Sequence, residues 1–446
     1  MNKIGILMDS DLEKRTVSRI KKHILPFMLI LYIICYIDRS NFSYAALTMN
    51  KELGISSAAF GLLSSLFFIG YVIFEVPSNV MLHKVGARKW ICRILVSWGI
   101  VSFITMFADN FVHLVAIRIL LGIAEAGFFP GIVYYLSYWF PEKERAKAIS
   151  FFMLAIPISS VIGSPISTWV MQNVQWMGLS GWRWMFCIEA IPAIVAGVVT
   201  IFYLVDDIDK AKWLQSDEKA WLKAELQREI DANKDKMKSE QMSIKDTFKY
   251  PIIWQLTFVY FCYVLGGNVL MLWLPQIVKG LAQSLSLTSI GVFITIPYTI
   301  AAITMYIWGR HSDIHNERRW HTAIMLLIST GGFIMILASS NVILRFVALI
   351  ITILGLYGGY PCFWAMPTVF LAEEAAAVGL AIINAFASFG GFISNNVVGI
   401  LMGRYGVNSV FIFLMIFSIL GFFVTIKLPK EKVKSIRSNV NDRQGA

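Results

Sequence analysis

Long apolar runs alternate with short polar segments from one end of the chain to the other. A predominantly apolar run of about 18 or more residues is long enough to cross a bilayer as a helix. Six such runs are predicted at about 24–47, 58–82, 89–108, 112–139, 147–172 and 183–205. Six more follow at about 252–278, 287–309, 321–338, 343–371, 377–403 and 408–428. The only long polar stretch, Asp206 to Lys249, separates the two groups and is dense in Asp, Glu and Lys. Its middle, Ser216 to Glu229, opens Ser-Asp-Glu and spaces Trp221, Leu222 and Leu226 as a short amphipathic surface helix would. The pattern predicts an all-α polytopic membrane protein of 12 transmembrane helices in two six-helix bundles, 1–205 and 251–446, joined by a linker at 206–250.

The polar residues that interrupt the runs are the candidates for chemistry. Tyr36-Ile37-Asp38-Arg39-Ser40-Asn41 lies inside the first run. An Asp or an Arg at membrane depth costs about 2.5–3.5 kcal/mol of insertion free energy, so each is a functional candidate. Helical spacing puts Tyr32, Tyr36 and Arg39 on one face, with Asp38 and Asn41 to its side. Tyr71, Glu75 and Ser78 share a face of the second run, and Arg118, Gly122, Glu125 and Phe129 a face of the fourth. Counting about 1.5 Å per residue puts Asp38 and Arg39 at a depth between Arg118 and Glu125. If the first and fourth helices are neighbours, two acids and two arginines form one nearly neutral cluster. Glu189 is expected to pair with Arg183 as a structural bridge.

The second six runs carry almost no charge. Asn384, Ser388, Gly391 and Asn395 line one face of the eleventh, and Tyr357, Pro361, Trp364 and Thr368 a face of the tenth. Asn268, Trp273 and Gln276 sit in the seventh, where Gly266-Gly267 and Pro275 are expected to break the helix beside a cavity. Glu373-Glu374 reads as a gate or loop anchor.

A net charge of +11 raises the question of nucleic acid, but its distribution excludes it. Lys and Arg crowd the N-terminal tail, alternate loops, the linker and the C-terminal tail. The other loops hold little beyond Lys51, Arg183, Lys279, Arg345 and Arg404. That asymmetry places both termini in the cytoplasm. The five cysteines fall within spans at no metal-ligand spacing and read as packing residues, and the six histidines lie in loops or at span ends. No metal, cofactor, nucleophile elbow or phosphate loop is expected, and a monomer is.

The halves echo one another. Phe129-Pro130 followed by Glu142 has the spacing of Tyr360-Pro361 followed by Glu373, and the basic loop after the second run matches the one after the eighth. Two six-helix halves in parallel repeat are the architecture of major-facilitator transporters, with the substrate site between them.

Asp38-Arg39-Ser40-Asn41, Pro77-Ser78-Asn79, Gly86-Ala87-Arg88-Lys89-Trp90 and the segment from Gly122 to Gly131 resemble the anion:cation symporter family of that superfamily. Trp139-Phe140-Pro141, Gly181-Trp182-Arg183-Trp184, Ser312-Asp313 with Glu317-Arg318-Arg319, and Phe363-Trp364 with Pro367 extend the likeness over nearly the whole chain. It is most similar to bacterial tartrate, rhamnonate and 4-hydroxyphenylacetate permeases. The resemblance implies uptake of an organic anion across the bacterial inner membrane by proton symport; an exchanger or drug-efflux antiporter of the same fold is the alternative. It implies that Asp38 and Glu125 carry protons and that Arg39, Arg118, Tyr36 and Tyr71 surround the substrate. Trp364 and Asn384 complete the expected cavity, and Glu75, Arg88, Asp313 and Arg318 are expected to gate or brace it. Two departures stand out. Asn79 and His83 replace the Gly and Asp usual after the second helix, and Ala387-Ser388 replaces a Gly-Asn pair, leaving Asn384 as the nearest substitute.

Overall fold

The structure is a computed structural model and describes residues 3–239, 251–367 and 373–429. Those residues form helices and connecting turns, with no strand among them. Twelve of the resulting segments are long and apolar enough to cross a membrane. In chain order the helices are α1 (Lys3–Glu52), α2 (Ser57–Val85), α3 (Ala87–Ile104), α4 (Phe111–Glu125) and α5 (Phe128–Trp139). Next come α6 (Glu142–Met153), α7 (Ala155–Asn173), α8 (Gly181–Tyr203) and the linker helix α9 (Ser216–Ser239). The second half holds α10 (Pro251–Leu281), α11 (Leu287–His315), α12 (Arg319–Ala338) and α13 (Val342–Gly358). It ends with α14 (Tyr360–Ala365), α15 (Glu373–Tyr405) and α16 (Val407–Lys427).

Three departures from the expected helices have local causes. The fourth span breaks between α4 and α5 because Gly127 turns left-handed, φ 85°. Ser78 mends the break: its hydroxyl donates to the Ala126 carbonyl at 2.6 Å and accepts from the Trp90 indole N–H at 2.9 Å. Phe129 therefore leaves the face it was expected to share with Arg118, Gly122 and Glu125, and stacks on Phe152 instead. The repeat reproduces this break in the tenth span, where Gly359 separates α13 from α14, so Tyr357 and Trp364 sit on different helices. Conversely, α10 runs unbroken through Gly266, Gly267 and Pro275. Both glycines are spent on close packing: a side chain at Gly266 would press on Leu356, and one at Gly267 would press on the Tyr360 hydroxyl. Thr368 and the side chains of Glu373, Glu374 and Ser388 lie outside the described residues.

The linker helix extends ten residues past the expected Glu229 and is docked by buried charge. Glu218, fully buried, accepts from Arg15 Nε at 3.1 Å and Arg19 Nη1 at 2.9 Å. Glu229 accepts from the Glu142 backbone N–H at 2.7 Å and from Arg145 at 3.2 Å, tying α9 to the start of α6.

The two halves meet through two clasps related by the repeat. Gly61 in α2 and Gly291 in α11 each stand four residues past the first residue of their helix. A side chain on Gly61 would collide with the Asn395 carbonyl of α15, and one on Gly291 with Thr168 and Ser164 of α7. Four residues further on, Ser65 donates to the Phe392 carbonyl at 2.9 Å, and Thr295 lies 3.1 Å from the Ser164 hydroxyl. Gln172 adds a bond to Thr288 at 2.9 Å, and Phe60 meets Trp273 edge-on. These contacts join the halves at the end of the bundle opposite the start of α1 and the end of α16.

Candidate functional site

Glycine contact places the first acid. Gly122 of α4 and Gly70 of α2 leave no room for a side chain, since either would strike the other helix's backbone. The two helices cross tightly, and Glu125, one turn on from Gly122, is carried to the centre of the first half. Its side chain is 1% exposed. Arg39 reaches it from α1, with Nε donating to Oε1 and Nη2 in ion-pair contact with the same oxygen. Cys35 Sγ sits 3.2 Å from the same oxygen, so this cysteine is part of the site rather than packing alone. Oε2 is buried without a hydrogen-bond partner among the described residues.

The arginines converge on one ring. The Arg39 guanidinium lies 5.4 Å from the Tyr36 ring, 5.6 Å from Phe67 and 5.5 Å from Tyr71. Arg118 lies 5.1 Å from the same Phe67 and 4.3 Å from Phe42. Its Nε donates weakly to the Leu63 carbonyl at 3.4 Å. Arg118 is 5% exposed and forms no ion pair among the described residues. Aromatic faces offset part of the cost of holding a desolvated cation, about 0.5–2 kcal/mol each.

The expected four-charge cluster is therefore divided. The first helix packs on α7, α8 and α10 rather than squarely on α4, so Arg39 and Cys35 are the α1 side chains that bridge the gap to Glu125. Asp38 turns the other way, to α3. It accepts from Trp98 Nε1 at 2.7 Å, from Asn41 Nδ2 at 3.0 Å and from the Ser102 hydroxyl. Three neutral donors thus hold a carboxyl that is 1% exposed as a residue. Trp98 and Ser102, four residues apart on one face of α3, were a legible signal; Phe67 was legible too, one turn before Tyr71.

The expected Glu189–Arg183 pair does not form. Arg183 turns outward to Glu52 at 3.3 Å, Asp109 at 3.0 Å and the Met106 carbonyl at 2.7 Å, where those groups cap the loop ends. Glu189 instead accepts from Ser167 at 2.6 Å.

Across from the charges, the second half offers phenols. Tyr36 is within electrostatic reach of Tyr260, Tyr357 and Tyr360. Trp364 packs edge-on against Tyr260 with ring centroids 4.8 Å apart. Tyr357 donates to the Gly267 carbonyl at 3.5 Å. Asn384 is half-buried on α15, and the Asn395 amide is spent on the Gly391 carbonyl at 3.0 Å. Glu75 is half-buried beyond Tyr71, near enough to Arg39 to interact electrostatically. Arg88 contributes its backbone N–H to Asp206 at 2.8 Å. Arg318 pairs with Asp313 at 2.7 Å and donates to Ser312 at 2.7 Å, bracing the α11–α12 turn within one half. Among the described residues no group of His, Cys, Asp and Glu is arranged to hold a metal.

Two long halves of transmembrane helices, repeated glycine breaks and a charged centre facing an aromatic wall are matched by a family model. The Major Facilitator Superfamily model covers residues 28–395. The chain belongs to the Major Facilitator Superfamily. Over 392 residues it is 43% identical to a protein of Agrobacterium vitis named "Putative tartrate transporter", covering 88% of this chain and 89% of that one. Over 437 residues it is 34% identical to the "Quinolone resistance transporter" of Acinetobacter baumannii, covering 96% and 98%. The xylose transporter XylE of E. coli, in a partially occluded inward open conformation, superposes with a TM-score of 0.73 at 14% identity. That superposition covers 93% of this chain and 99% of XylE, and it shows the fold. As a major-facilitator protein the chain is a multi-pass membrane transporter of a small molecule, and its relatives are transporters rather than enzymes.

Proposed function

We propose that this transporter imports a small organic carboxylate together with protons. The observation that carries the reading is the unequal state of the two buried arginines. Arg118 has no acid partner among the described residues, while Arg39 is held by Glu125, whose second oxygen is orphaned. An incoming carboxylate pairs first with Arg118, whose planar fork suits it. It then competes with Glu125 for Arg39 across the shared Phe67 ring. Once Arg39 turns to the substrate, Glu125 is a buried carboxylate without a cation, a costly state that a proton on Oε2 relieves. Anion binding and proton binding thereby favour one another, which is the coupling a symporter needs. Asp38, held by neutral donors, is the second proton site. Tyr36, Tyr71, Trp364 and Asn384 are assigned to the rest of the substrate.

The positive-inside asymmetry places both termini, and the linker joining bundles 1–205 and 251–446, in the cytoplasm. The clasps at Gly61 and Gly291 then close the outer end, and we take the working unit to be a monomer. The Agrobacterium relative's name supports tartrate as the first substrate to try. The Acinetobacter relative's name supports a second reading, drug efflux by proton antiport. Uptake of tartrate, sugar acids and hydroxyphenylacetates into proteoliposomes, with and without an inward proton gradient, separates the two. Symport requires gradient-driven accumulation of an acid; drug exit coupled to proton influx would replace it with the efflux reading.

A further inference from the structure

We infer that Glu189 is a proton-binding carboxyl, a third acid in the proton circuit beside Asp38 and Glu125. Glu189 belongs to α8 and is 6% exposed. Its Oε1 accepts from the Ser167 hydroxyl at 2.6 Å, and its Oε2 is buried with no partner among the described residues. The Asn41 amide donates to Asp38 at 3.0 Å, and Asp38 and Glu189 are within electrostatic reach of one another.

Among the described residues, the elements packed around Glu189 supply no cation. From α1 it faces Asp38 and the Tyr44 phenol, while Arg39 is turned to Glu125. The whole of α7, Ala155–Asn173, contains no charged residue. The charges of α3, Arg88, Lys89 and Arg93, fall in its first two turns, at the far end from Trp98 and Ser102. On α8 itself, Arg183 is committed to Glu52 and Asp109. An ionised carboxylate in that setting would be buried beside a second acid with neutral donors on one oxygen alone. A proton on Oε2 removes the charge.

Position gives the proton a use. Ser180 and Trp182, at the start of α8, both bond Glu52 at the end of α1, so these two helix ends are level. At 1.5 Å per residue, Glu189 lies ~12 Å from that end and Asp38 ~21 Å. Glu189 therefore stands between Asp38 and the end that the clasps close. Transfer breaks the Glu189 O–H bond and forms one on Asp38, leaving the pair's net charge unchanged. This use in transport rests on the proton-coupled reading; proton binding by Glu189 does not.

The test is infrared spectroscopy of the full-length protein in lipid vesicles at neutral pH, following the carbonyl stretch of protonated carboxylic acids without any substrate. Wild type is expected to show a buried carboxylic-acid band that Glu189→Gln abolishes and Glu125→Gln retains. Ser167→Ala is expected to shift that band by removing the donor to Oε1. An unchanged spectrum in Glu189→Gln, or, should that variant fold poorly, a band unmoved in Ser167→Ala, overturns the inference. Protons taken up per tartrate, read with an internal pH dye, are expected to fall in Glu189→Gln with tartrate affinity unchanged. Normal coupling in wild type with an unchanged ratio in the variant overturns the transport role. Failure of wild type to carry tartrate with protons would instead strike the symport reading and leave the infrared result standing.

Discussion

Glu125→Gln isolates the exchange of partners at Arg39. The substitution keeps the shape of the side chain and removes its charge, so the Arg39 guanidinium loses its acid and retains the Tyr36, Phe67 and Tyr71 rings. A hydrogen bond to a charged group contributes about 1.5–3 kcal/mol. The Arg39 side chain is 22% exposed, which puts the loss at the lower end, about 1.5 kcal/mol. On the proposed exchange, a carboxylate displaces Glu125 from Arg39 in wild type before it gains that bond. In the variant the bond is free to form. Tartrate is therefore expected to bind Glu125→Gln roughly tenfold more tightly than wild type. Isothermal titration reads both affinities. Equal affinities in wild type and variant would refute the exchange.

Arg118→Ala should weaken tartrate binding by tenfold or more in the same titration while the folded protein elutes normally, since the guanidinium has no acid to leave stranded; unchanged affinity would return Arg118 to a packing role. Gly122→Ala should lower the melting temperature and transport together, because the new methyl meets the Phe67 carbonyl and α2 and α4 must part; a native melting curve would show that the crossing is slack. Gly61→Leu should hold the clasped end open, which raises the labelling rate of a cysteine introduced beside it with a membrane-impermeant reagent; wild-type labelling would remove the clasp from the gating scheme. Trp98→Phe should impair gradient-driven uptake more than tartrate binding, since it removes a donor from Asp38 and nothing from either arginine; equal loss of both would tie Asp38 to the substrate.

Hydropathy made the twelve spans and the repeat legible, because a bilayer leaves the backbone few options. The identity of the buried charges was legible for the same reason: each carries an insertion cost that stands out against its surroundings. Their pairing was not. One-dimensional depth arithmetic put Asp38, Arg39, Arg118 and Glu125 at a common level, but partner choice depends on which way each helix is turned and on what its neighbour offers. Asp38 met the Trp98 indole and the Ser102 hydroxyl, so it had no need of an arginine. Glu189 and Arg183 are on one helix six residues apart, too far round the axis to meet, and that spacing alone argued against their pairing. The glycines misled in both directions. Gly127 breaks a helix that hydropathy draws as continuous, and Gly266-Gly267 sits in a helix that runs on where composition predicts a break. A glycine's role depends on whether the neighbour presses on it or the backbone turns at it, and the sequence of one helix does not say which.

In the proposed mechanism, carboxylate and proton cross together by way of the Arg39–Glu125 pair. Proteoliposomes with an internal pH dye, an inward proton gradient and radiolabelled tartrate measure both fluxes at once. Wild type should accumulate tartrate while its lumen acidifies faster than in tartrate-free controls, and Glu125→Gln should exchange tartrate without either effect. Tartrate that enters to equilibrium with no added proton influx, or equal acidification in the variant, would rule out coupling through this pair.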